Sequence, residues 1–137
     1  MAIVEKSMFD KITPGEYAHQ GWTRDDKLTR SPNIVALINR FNSICNWASS
    51  VVLKTENLKE RAVILHRLII IAEESRALRN YNAVMAIISG LQCSAIYRLS
   101  QTWNVSKPKY KFKKNNILIL YILFSYFHQK LGIFGMD

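Results

Sequence analysis

Apolar residues recur at helical spacing through the middle of the chain. Leu58, Ala62, Leu65, Ile69 and Ala72 follow the helical period, and Ile64, Leu68 and Ile71 widen the stripe beyond the needs of one surface face. The spacing predicts a buried helix. Asn57 is its expected N-cap with Glu60 as capping-box partner, Arg76 and Arg79 suit the C-terminal dipole, and Asn80 is the expected left-handed terminator. Ala83, Val84, Ile87, Ile88 and Leu91 then predict a second helix ending near Gly90 and Gln92.

Upstream, Ser31 and Pro32 read as N-cap and first turn of a long amphipathic helix. Ile34, Leu37, Ile38, Phe41, Cys45, Ala48 and Val52 form its inward stripe, leaving Asn39, Arg40, Asn42, Ser43 and Asn46 on other faces. Ile3 to Lys11 allows a short helix. Thr13, Pro14 and Glu16 open another that Gly21 ends, Trp22 anchors this segment to the core, and residues 23–30 form a charged connection without apolar period. Downstream, Ile96, Tyr97, Leu99 and Trp103 supply an apolar return. The pattern is all-α.

Composition narrows the chemistry. With 137 residues, 49% of them apolar and 21% charged, the chain is long enough for one domain with its own core. Cys45 and Cys93 show no metal or redox spacing and read as packing residues in a reducing compartment. Near the N-terminus Glu5 and Asp10 interrupt the apolar residues, so no secretory signal is expected. His66 has no second ligand within a turn, and the chain has no Gly-rich phosphate loop, no convincing carboxylate pair and no His/Cys cluster. Such a protein is expected to act by contact, without catalytic residues, metal or cofactor. Arg98 is expected to pair with a carboxylate such as Glu73 or Glu74, with contact to a partner as the alternative.

Two motifs sharpen this picture. ERAVILHRLIIIAEESRALRNYNAVMAIISGL followed by SAIYRLSQTW resembles the core of the Ras-type guanine-nucleotide exchange factor (Ras-GEF) catalytic domain. That family joins an R-x-x-x-I-x-x-hydrophobic-I-x-I-A helix to an L-x-N-[FY]-N turn, an SGL helix and an R-L-x-x-T-W segment. MFDKITPGEYAHQGWTRDD and SPNIVALINRFNSICNWASSVVL match the family's order upstream, so the similarity covers residues 8–103.

The resemblance implies an all-helical unit of which this chain holds the N-terminal half, at 1–103, with an unrelated tail at 104–137. Positions matching Asn39 and Asn42 face the bound GTPase in relatives. Gln92 matches a position, often asparagine, that touches the GTPase near its nucleotide site, and its extra methylene departs from that pattern. Trp47, Arg61, Asn80, Tyr81, Asn82, Arg98, Leu99 and Trp103 are implied to be structural core-motif residues. The implied function is to bind a Ras-family GTPase of Ras, Rap or Ral type and open its nucleotide site, so that GDP leaves and GTP loads. The hairpin that displaces the switch region belongs to the second half of the family's domain, so weak activity or none is expected of this chain alone. A non-catalytic GTPase-binding module is the alternative, and a basic membrane-surface or nucleic-acid-binding protein a further one. Residence is expected in the cytoplasm, at the inner membrane surface with the GTPase.

The charge distribution concerns the tail. Up to residue 106 there are 13 Lys and Arg against 9 Asp and Glu, and beyond it 6 Lys against 1 Asp, out of a formal net charge of +9. Lys107, Lys109, Lys111, Lys113 and Lys114 alternate with aromatic residues and a proline and suit weak contact with an anionic membrane; nucleic acid is not expected. The apolar run 117–127 is too short to span a bilayer. A terminal helix, a peripheral anchor and a translated AT-rich, non-coding stretch all fit. The last is favoured, because the junction follows a complete family motif.

Overall fold

A computed structural model describes residues 2–109, which form α1 (Ala2–Phe9), α2 (Lys27–Arg30), α3 (Pro32–Leu53), α4 (Leu58–Ala77), α5 (Tyr81–Leu91), α6 (Ser94–Tyr97) and α7 (Ser100–Lys109). A tight 3₁₀ segment, Pro14–Thr23, lies between α1 and α2. The fold is all-helical among the described residues. Short turns reverse the chain between α3 and α4 and again between α4 and α5, so α3 and α5 run side by side with α4 against α5 and α7.

The core gathers the inward stripes of these helices. Ile44, Ala48 and Val52 from α3 meet Leu65, Leu68, Ile69 and Ala72 from α4, Ala86, Ile87 and Leu91 from α5, and Ile96 from α6. Leu99 and Trp103 close one side, where the Trp103 indole Nε1–H donates to the Ile96 carbonyl at 3.0 Å. The expected all-round burial of α4 does not occur: Ile70 and Ile71 are 40% and 37% exposed beside a charged outer face. A widened apolar stripe shows which residues share a face, and the number of neighbours decides how much of it is covered.

The caps differ from expectation in instructive ways. Asn57 caps α4 as expected, its Oδ1 accepting from the N–H groups of Lys59 at 2.9 Å and Glu60 at 3.2 Å. At the other end the left-handed residue is Arg79, with φ 56°, rather than Asn80. Bonds from Asn80 N–H to the Ser75 carbonyl (2.8 Å) and from Arg79 N–H to the Arg76 carbonyl (2.9 Å) complete a Schellman motif. Asn80 is thereby free to cap α5, where its Oδ1 accepts from Ala83 N–H at 3.2 Å. Its Nδ2 donates to the buried Glu5 carboxylate and ties α1 to this corner.

Ser31 precedes α3, but its side chain does not cap the helix. Its hydroxyl donates to the Glu16 carbonyl at 2.7 Å. The Glu16 carboxylate does the capping: it accepts from the N–H groups of Asn33 (2.8 Å) and Ile34 (3.1 Å), from Asn33 Nδ2 (2.8 Å) and from Thr13 N–H (3.2 Å). An anion at a helix N-terminus satisfies free donors and complements the dipole. Burial acts to raise this carboxyl's pKa, but the bonds from Asn33, Ile34 and Thr13 outweigh it and leave it below its ordinary value of 4.5.

A depressed carboxyl pKa contributes stability that is present above the unfolded-state value and lost as pH falls through the folded one. Denaturant midpoints measured at successively lower pH should therefore fall below about pH 4.5 in the parent chain. Glu16→Gln should start from a lower midpoint at neutral pH and show a shallower acid slope. Equal slopes in the two chains would contradict this account of the α3 cap.

The charged connection at 23–30 is more ordered than expected, since α2 occupies part of it. An i, i+4 ion pair between Asp26 and Arg30 holds that turn without apolar periodicity. Trp22 is half-buried and stacks edge-on against Tyr17, with ring centroids 6.3 Å apart; it does not reach the main core. The boundary expected after residue 103 falls inside α7, where Lys107 and Lys109 stand in the closing turns. Lys111, Lys113, Lys114 and the apolar run 117–127 lie outside the described residues.

Candidate functional site

The outer face of α3 is built differently from that of α4. Asn39, Asn42, Ser43 and Asn46 recur at spacings of three and four and lie on the half-buried to exposed side of the helix, so they form one polar stripe. Ser43 Oγ donates to the Asn39 carbonyl at 2.8 Å, and Ser49 Oγ to the carbonyls of Cys45 and Asn46, each at 3.1 Å. No residue from Phe41 to Leu53 is charged. On α4, by contrast, Lys59, Glu60, Glu73, Glu74 and Arg76 occupy the exposed face.

Gln92 caps the C-terminus of α5 and is half-buried, with its N–H on the Ile88 carbonyl at 2.9 Å. Two residues earlier, Gly90 brings α5 against α3. A Cβ built at Gly90 would stand 2.5 Å from the Cys45 carbonyl oxygen and 3.0 Å from the Ala48 Cβ. Cys45 is one helical turn beyond Asn42, so the close approach fixes where α5 crosses α3. The packing of α3 on α5 thus brings together the helices carrying Asn39, Asn42 and Gln92.

These side chains offer neutral donors and acceptors and no group that titrates near neutrality. Among the described residues no cluster of three His, Cys, Asp or Glu could hold a metal ion. Burial pushes the Cys45 thiol above its ordinary value of 9.0, which disfavours the nucleophilic thiolate. The arrangement suits recognition of another surface.

A family model of the RasGEF domain matches residues 1–120. The chain belongs to the RasGEF domain family. Ras guanine nucleotide exchange factor E of Dictyostelium discoideum is 39% identical over 122 residues, which are 88% of this chain and 12% of that protein. Factor P of the same organism is 41% identical over 113 residues (81% and 8%), and factor A 37% over 102 residues (74% and 17%). The chain spans about a tenth of the length of the curated relatives it matches. The family match continues past residue 103, as α7 does.

Within this RasGEF chain the expected core-motif residues take different places. Arg61 bridges three elements: its Nε donates to Thr102 Oγ1 at 2.9 Å, and its Nη1 to the carbonyls of Thr55 and Glu56 at 3.0 and 3.3 Å. Asn80 caps α5, while Leu99 and Trp103 pack on the core. Asn82 is half-buried, with its Nδ2 buried and unpartnered. Trp47 and Tyr81, expected as packing residues, are instead 45% and 62% exposed, because Ala48 and Ala83 take the inward positions beside them. Arg98 is exposed and forms no ion pair with Glu73 or Glu74 among the described residues.

Sequence reasoning passed over Glu5 and the exposure of Tyr97. Glu5 is the buried residue of α1, in a helix whose Ile3, Val4 and Phe9 are exposed. Tyr97, 63% exposed on α6, lies five residues beyond Gln92. Glu5 had no local signal, since a carboxylate in a short helix reads as exposed. Tyr97 had none, since an aromatic in an apolar return reads as core.

Proposed function

We propose that this RasGEF chain binds a Ras-family small GTPase, of Ras, Rap or Ral type, through Asn39, Asn42 and Gln92. By opening the nucleotide site it favours exchange of GDP for GTP, weakly or not at all when this chain acts alone. The observation that carries the reading is the uncharged amide stripe of α3, with the C-terminus of α5 packed at its side. Interface cores are depleted in charge relative to the surrounding surface, and this stripe has that composition. The matched relatives are named as Ras guanine nucleotide exchange factors, which agrees with it.

Exchange needs no covalent step in this reading. A factor that binds the nucleotide-free GTPase better than the nucleotide-bound one shifts the population toward the open form. Moving that equilibrium from 1:99 to 99:1 takes a differential affinity of about 10⁴. Neutral amides contribute by satisfying backbone groups exposed in the open form. Such a chain works in the cytoplasm, beside a GTPase at the inner membrane surface.

The test is release of fluorescent GDP from purified Ras, Rap and Ral proteins with and without the chain, once its helical circular dichroism is established. Acceleration by one of them, reduced several-fold by Asn39→Ala with Asn42→Ala, supports the reading. Saturable binding without release would make the chain a GTPase-binding module. Absence of both, from a folded chain, overturns the proposal.

A further inference from the structure

We infer that Trp47 is the apolar anchor of the GTPase-binding face, extending it along α3 beyond the asparagine stripe; this rests on the function proposed above. The ring is 45% exposed, although Ala48 and Val52 beside it are wholly buried and α3 therefore has a complete inward face without it. A lone exposed apolar residue is ordinary. Its surroundings make this one different.

Asn39, Ser43 and Trp47 are spaced i, i+4, i+8 and so form one ridge of the helix. The Ser43 hydroxyl is already engaged with the Asn39 carbonyl, which leaves Trp47 as the one large group on that ridge. From Asn39 to Trp47 the ridge runs about 12 Å at the helical rise. A standard interface covers about 800 Å² per partner and is far wider than that, so one GTPase seated on Asn39 also reaches Trp47. From Phe41 to Leu53 α3 carries no charge, and Arg40 and Lys54, seven residues to either side of Trp47, form a charged rim to the patch.

Trp is the residue type most enriched among side chains that dominate interface energetics, typically where a large ring enters a water-excluded pocket. The occupant is the same Ras-family GTPase, which must offer an apolar depression beside groups that pair with the asparagine amides. Asn39 and Asn42 set register and specificity in this arrangement, and Trp47 supplies buried area.

The experiment titrates the 137-residue chain against a nucleotide-free Ras-family GTPase, with Trp47→Ala and Trp47→Phe variants compared by circular dichroism and affinity. Trp47→Ala is expected to weaken binding at least about tenfold with unchanged helicity, and Trp47→Phe to recover most of that loss. In the unmodified chain, hydroxyl-radical footprinting should show Trp47 protected in the complex, a readout that needs no variant to fold. Binding by the parent chain with equal affinity for Trp47→Ala, or an unprotected Trp47, overturns the inference and leaves the asparagine reading standing. No binding by the folded parent chain overturns the function itself. Loss of self-association in Trp47→Ala, with GTPase binding intact, assigns the face to a second copy and also overturns the inference.

Discussion

Gly90→Ala lowers stability by about 1–2 kcal/mol, although alanine is the better helix former by about 1 kcal/mol. The new methyl group meets the Cys45 carbonyl oxygen at 2.5 Å and the Ala48 Cβ at 3.0 Å. Neither can rotate away, because both belong to the α3 backbone or its first side-chain atom. Relief requires α3 and α5 to separate, which loosens contacts made by Ala86, Ile87 and Leu91 in the core. Overpacking of this kind costs about 1–3 kcal/mol; the loosened interface places it in the upper part of that range, and the propensity gain of about 1 kcal/mol leaves a net of about 1–2 kcal/mol. Urea denaturation of parent and variant measures it. Gly15→Ala is the control: a methyl group added there meets no atom within 4 Å, and the midpoint should hardly move. Equal stability of Gly90→Ala and the parent would show that the α3–α5 contact is looser than described.

Arg61→Ala costs about 2 kcal/mol, since hydrogen bonds from a charged donor contribute more than neutral ones and a buried acceptor is left behind. The guanidinium reaches Thr102 on α7 with one nitrogen and the carbonyls of Thr55 and Glu56 with another, so it joins α4, α7 and the α3–α4 turn. Thr102 is 1% exposed, and water cannot easily replace the lost donor there. Arg61→Lys should recover less than half of the loss, because a single ammonium cannot address both sites that the planar fork reaches. A double-mutant cycle of Arg61→Ala with Thr102→Val, followed by denaturation, should return a coupling of about 1 kcal/mol. Additive losses would mean that the two side chains act independently.

Both residues stand in motifs visible from the sequence, but neither role is written there. The resemblance places Arg61 in the structural motif without naming Thr102, its partner 41 residues away. Gly90 has the sequence context of a helix-end glycine. It is a glycine because another helix backbone passes within van der Waals distance of it.

What the sequence determined by itself is the set of helices and the family. Apolar periodicity marked α3, α4 and α5 with their inward residues, Asn57 announced the α4 cap, and motifs in fixed order carried the RasGEF resemblance. These are local properties, set by backbone geometry and the side chains within a turn or two. Tertiary structure decided which stripe was covered and which polar group served which helix. Ile70, Ile71 and Trp47 remain exposed because the described residues place no neighbour over them. Glu16 caps α3 because the chain folds it onto a helix end 17 residues away, where free N–H groups hold its carboxylate ionised. The approach of α5 to α3 at Cys45 and Ala48 follows from one glycine, Gly90. Periodicity tells which residues share a face; only packing tells what that face meets.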